Sequence, residues 1–177
     1  MQVIEYDESA IPEESRMRLN DDLERARETA MRILASTGRS KKDLVERLVA
    51  KGHDSEICEE LVERLDAVGL INEYETAAMI ARTRFAEKGR SRSVISQELR
   101  AKGYPEAAIE MAVEQIQPVD ERLAALDLAR KRLAKDRDSN QNARIRRALG
   151  HLARKGYAQG LAMSCIREVL AGEIEID

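Results

Sequence analysis

Apolar residues recur every three to four positions along most of this chain, in short stripes cut by turn residues, the spacing of amphipathic helices. Leu23, Ala26, Ala30, Ile33 and Leu34 mark one face of a first helix, capped by Asn20, Asp21 or Asp22 and stopped at Gly38. Leu44, Val45, Leu48 and Val49 mark a second over about 41–51, and Ile57, Leu61, Val62, Leu65 and Val68 a third that ends at Gly69. Asn72 with Glu75 forms a cap pair for a fourth helix carrying Ala77, Met79, Ile80 and Phe85 to Gly89. Val94, Ile95 and Leu99 make the fifth; Pro105 opens a sixth through Ile109, Met111, Val113 and Ile116, and Pro118 closes it. Leu123, Leu126, Leu128 and Leu133 predict a long helix from Asp120 to about Lys135, followed by a polar loop over Asp136–Asn142. Ile145, Ala148, Leu149 and Leu152 predict a helix over 143–155, and Leu161, Met163, Ile166, Val169 and Leu170 a last one over about 158–171. No stretch sustains two-residue alternation, so no sheet is expected.

The helices fall into a repeating set. Gly38–Gly52 reads GRSKKDLVERLVAKG and Gly89–Gly103 reads GRSRSVISQELRAKG, fifty-one residues apart. A looser third copy closes at Leu152-Ala153-Arg154-Lys155-Gly156. Ser40 and Ser91 stand where a helix N-cap belongs, and Gly52, Gly103 and Gly156 where a left-handed C-terminal residue belongs. A period near fifty residues signals a repeat array. The fold expected is therefore all-α: three tandem three-helix repeats in an elongated, curved array, over 21–71, 72–118 and 119–172. Residues 1–20 are expected to form an acidic flexible tail, and 173–177 a short C-terminal one.

Composition sharpens this picture. Charged residues make up 36% of the 177, aromatics 3%, and Trp is absent, which favours small helices with charged outer faces over a deep aromatic pocket. The formal charge of −3 conceals an asymmetry. Residues 1–24 hold eight acids and two bases, whereas 130–155 hold ten Lys or Arg against two Asp. Such a basic block suits a polyanion or an acidic protein surface. Cys58 and Cys165 are too few and too far apart for a disulfide framework and read as buried free thiols in a reducing compartment. No apolar run reaches the roughly 20 residues of a membrane helix. The acidic N-terminus resembles no signal peptide, so a cytoplasmic protein is expected.

Catalytic constellations are missing. His53 and His151 flank glycine-marked helix ends and read as solvent-facing; neither belongs to an HExxH or CxxC arrangement. No nucleophile elbow and no phosphate-cradling glycine loop occurs, so neither catalysis nor a cofactor is expected. The candidate binding residues are cations: Arg39, Lys41 and Lys42; Arg90 and Arg92; and Arg130, Lys131, Arg132, Arg144, Arg146, Arg147, Arg154 and Lys155. Arginine at a helix N-terminus opposes the helix dipole slightly, which favours a functional reading over a solvated face. The alternative is a helix-turn-helix-like DNA-binding regulator. Against it, the third helix of the first unit carries six acids and one base between Asp54 and Asp66, and an acidic helix cannot lie in a major groove.

The runs Leu48–His53, Val68–Glu73, Arg82–Arg84, Gly89–Gly103 and Leu152–Tyr157 resemble the bacterial RecX regulatory proteins over roughly 22–172. The family often carries Asp-Asp where Asn72-Glu73 stands and an aromatic where Thr76 stands. The resemblance implies three tandem three-helix repeats, no catalytic activity, and the RecA recombinase filament on single-stranded DNA as partner. It further implies binding along the filament groove, with ATP hydrolysis, strand exchange and filament growth suppressed; a monomer is expected. Weak non-specific DNA binding is compatible with that role. The acidic N-terminus would then shield the basic third repeat.

Overall fold

The computed structural model describes residues 13–135 and 140–174, with side chains at 17–135 and 140–172. Regular structure among them is helical: α1 Glu13–Ser36, α2 Lys41–Ala50, α3 Ser55–Ala67, α4 Glu73–Ala86, α5 Arg92–Ala101, α6 Glu106–Glu114, α7 Pro118–Lys135, α8 Gln141–Arg154 and α9 Gln159–Ile174. The chain divides into two compact units, Met1–Asn72 with α1–α3 and Glu73–Asp177 with α4–α9.

In the first unit, Ala26 and Ala30 of α1 meet Leu44 and Leu48 of α2 and Cys58, Leu61, Val62 and Leu65 of α3. The second unit holds two cores. Ala77, Ala81, Ile95, Leu99, Ala108, Ile109 and Ala112 form one between α4, α5 and α6. Ala125, Ala129, Leu133, Ala148, Leu152, Ala162, Cys165 and Ile166 form the other between α7, α8 and α9. Alanines on the first and third helix of each triplet in this unit let those two helices approach closely, while the middle helix supplies Ile95 and Leu99 in the one triplet and Leu152 beside Ala148 in the other. Cys58 and Cys165 are free and buried in separate cores.

Three local expectations are corrected. α1 starts at Glu13, so the caps expected at Asn20, Asp21 or Asp22 lie inside it; residues 1–12 are outside the described residues. From Glu13 to Thr37 the sequence contains neither Gly nor Pro, and an exposed Asn or Asp in a helix interior costs only about 0.7 kcal/mol. Asp22 offsets part of that by pairing with Arg25 at 3.6 Å. The helix ends at Ser36, whose hydroxyl donates to the Ile33 carbonyl at 2.7 Å, and Gly38 is not among the left-handed glycines. Pro118 opens α7, where its missing N–H costs nothing, and Pro105 stands one residue before α6 as its cap. Of the polar loop, 136–139 lie outside the described residues, and Asn140 caps α8 by accepting from the Asn142 N–H at 2.8 Å.

Candidate partner-binding surface

The repeated motif folds as its residues dictate. Ser40 Oγ accepts from the Asp43 N–H at 3.1 Å and Ser91 Oγ from the Val94 N–H at 3.3 Å, each closing the first turn of its helix. At the other end, the Gly52 N–H donates to Val49 and the His53 N–H to Leu48, at 2.9 and 3.2 Å. Gly156 and Tyr157 do the same to Ala153 and Leu152, at 2.9 and 3.1 Å. This double closure requires left-handed backbone at the glycine, φ +91° at Gly52 and +89° at Gly156.

Within the second unit these two ends meet. The Ser91 N–H donates to the Lys155 carbonyl at 2.9 Å, and Ser91 Oγ donates to the Gly156 carbonyl at 2.7 Å. Arg90 donates to the Arg154 carbonyl at 3.1 Å, and Lys155 Nζ reaches back to the Lys88 carbonyl. Glu121 accepts from the Arg92 N–H at 2.8 Å. The start of α5 is thereby seated on the end of α8. Val94 lies so close that a Cβ on Gly156 would stand 2.1 Å from its Cγ2.

That joint consumes several cations expected to face a partner. Arg90 and Lys155 are tied to backbone carbonyls, and Arg92 is half-buried. Arg144 donates to the Leu133 carbonyl at 3.3 Å, pinning α8 to the end of α7. In the first unit, Arg39 pairs with Asp43 at 3.3 Å. Lys41 bridges Glu63 and Asp66 of α3 at 3.2 and 3.0 Å, hydrogen bonds that raise its pKa.

Lys42, Arg130, Lys131, Arg146, Arg147 and Arg154 are exposed. Lys42 lies 4.0 Å from Glu46 and Lys131 2.7 Å from Asp127, exposed pairs that hold their cations only weakly. Arg132 is half-buried. Burial, then the charges of Lys155, Arg154 and Arg132, push the His151 pKa down, so α7 and α8 bring these three cations around one imidazole. Neither histidine faces solvent freely as expected. His151 is half-buried, and His53 Nε2 lies 3.2 Å from Thr29 Oγ1. Tyr157, missed in the sequence, is 4% exposed beneath the joint. Among the described residues no three His, Cys, Asp or Glu side chains gather as metal ligands, and no helix is long and apolar enough to cross a membrane.

The sequence model of the first three-helix domain of RecX matches residues 26–65, and that of the second matches 72–113. The regulatory protein RecX of Streptomyces coelicolor is 36% identical over 155 residues, 88% of this chain and 82% of that protein. The chain belongs to the RecX family. The regulatory protein RecX of Mycobacterium leprae is 34% identical over 89% of the chain and 92% of its own length. The crystal structure of RecX from Lactobacillus salivarius superposes with a TM-score of 0.75 at 20% identity, covering 85% of this chain and 97% of that one. A crystal structure of regulatory protein RecX gives 0.77 at 24%, covering 95% and 81%. The all-α fold of three-helix repeats is that of the RecX family, whose members are named as regulatory proteins.

Proposed function

We propose that this chain is a negative regulator of the RecA recombinase. It binds as a monomer along the groove of the RecA–single-stranded DNA filament in the cytoplasm, and it inhibits ATP hydrolysis, strand exchange and filament growth. Membership of the RecX family carries this reading. It acts by binding alone, without a cofactor. The cations left exposed on α7 and α8 (Arg130, Lys131, Arg146, Arg147 and Arg154) supply the chemistry for an acidic protein surface or a phosphate backbone. Exposed cations of this kind add affinity through displaced counterions and lose it with salt. Sequence-specific duplex reading has less support, since α3 turns its acids outward and pairs two of them with Lys41.

The test is RecA ATP hydrolysis on single-stranded DNA with and without this chain, added before and after filaments form. Substoichiometric chain should slow hydrolysis, and an unchanged rate at equimolar chain refutes the proposal. Arg146→Glu with Arg147→Glu should weaken inhibition at least about tenfold, a little over 1.4 kcal/mol. Full inhibition by that variant would move the contact off α8. Arg144 is left intact because its bond to the Leu133 carbonyl makes it part of the fold.

A further inference from the structure

The end of α2 repeats the end of α8 but, among the described residues, has no helix start seated on it. Leu48-Val49-Ala50-Lys51-Gly52 matches Leu152-Ala153-Arg154-Lys155-Gly156 in frame, in terminal hydrogen bonds and in glycine φ. At Gly156 the last three carbonyls accept from Arg90 and Ser91, and Val94 fills the space beside the glycine. At Gly52 a Cβ would meet nothing within 4 Å, and Lys51 and Gly52 are exposed. Among the described residues no donor reaches the carbonyls of Ala50, Lys51 or Gly52. A cleft of about 300 Å³ opens there, bounded by Asp22, Arg25, Lys51, Gly52, His53 and Asp54.

We infer that this cleft is a docking site for the start of a helix on another protein, one of the form Arg-Ser-x-x-Val. The internal joint defines the occupant. The incoming Ser hydroxyl and N–H would go to the Gly52 and Lys51 carbonyls, the Arg to the Ala50 carbonyl, and the valine against Gly52. The helix dipoles agree, since the end of α2 carries partial negative charge and a helix start is positive. The side chains of the cleft offset one another, with Asp22 paired to Arg25 at 3.6 Å and Asp54 engaged in capping α3. A second copy of this chain has no spare start to offer. Ser40 and Ser91 are each 1% exposed, and α8 begins at Asn140 instead. The inference stands apart from the identity of the regulated enzyme.

The probe is a peptide with the sequence of residues 89–101, held helical by a lactam bridge at the positions of Ser93 and Gln97, which are exposed in α5. Titrated into the ¹⁵N-labelled full chain, it should shift the Lys51, Gly52 and His53 amides saturably. A peptide with Ser91→Ala should bind about tenfold more weakly, as should the chain with Gly52→Ala, whose Cβ would take the place of the incoming valine. No saturable shift by about 1 mM peptide overturns the inference. Shifts confined to the surroundings of Gly156, or indifference to both substitutions, overturn it equally.

Discussion

Tyr157 shows what burial does to a hydroxyl with nothing to bond. Its Oη is buried with no hydrogen-bond partner among the described residues, and burial, then the Glu121 charge, pushes its pKa up to about 12. Removing an orphaned polar atom while keeping the ring costs nothing and often stabilises. Tyr157→Phe should therefore leave the urea midpoint unchanged or raise stability by up to about 1 kcal/mol. A loss of that size would show that the hydroxyl is paired in solution. His151 carries the opposite lesson, a charge kept off by burial first and by its cationic neighbours second. Its folded pKa lies below the unfolded one, so the unfolded chain takes up the proton first as pH falls. Stability from this site is whole above about pH 6.5 and declines as pH drops through that value towards the folded pKa. In His151→Gln the fall in midpoint between about pH 7.5 and 5.5 should shrink. Phosphates placed beside Arg132, Arg154 and Lys155 should raise the His151 pKa, seen as a shifted imidazole titration with single-stranded DNA. An unmoved titration would separate these cations from the DNA.

At the scale of the element, one glycine substitution made twice separates backbone strain from packing. Gly52→Ala meets only the left-handed penalty, about 1–2 kcal/mol, because its Cβ enters open space. Gly156→Ala meets the same penalty and also drives a Cβ into Val94 and Ser91, at 2.1 and 2.5 Å. The start of α5 must then leave the end of α8, with loss of the Ser91 bonds to Lys155 and Gly156. Gly156→Ala should cost at least about 2 kcal/mol more than Gly52→Ala in urea unfolding. Equal costs would mean that the joint contributes nothing. The sequence announced these helices well, because apolar spacing, Ser caps and glycine stops act within a few residues of each other. It could not announce the joint. Ser91 and Gly156 are sixty-five residues apart, and the same letters that cap and stop a helix also serve to couple two helices. Nor could periodicity show that Arg90 and Lys155 serve backbone carbonyls, since an arginine beside a cap reads alike whether its partner is a carbonyl or a phosphate. The early start of α1 was hidden for a different reason. Asp and Asn favour caps, yet a run without glycine or proline carries the helix past them.

At the scale of the whole chain, charge rather than contact decides how it meets a polyanion. The formal charge is −3, and residues 1–12 contribute three acids (Glu5, Asp7 and Glu8) and no base. Removing them brings the total to zero and leaves every cation of α7 and α8 in place. The cut must stop there, because Glu13 already belongs to α1 and deletion to residue 20 would shorten a helix of the first core. A nucleoprotein filament repels a net negative chain until its basic surface is close, so the acids act mainly on the rate of encounter. The truncated chain should associate faster with RecA filaments at low salt, by several-fold, with little change in dissociation. The difference should fade near physiological ionic strength, where fields decay over about 8 Å. Stopped-flow association across a salt series tests this. Equal rates at the lowest salt would mean that the acidic segment has no bearing on encounter, and a change in dissociation alone would make it a direct contact instead.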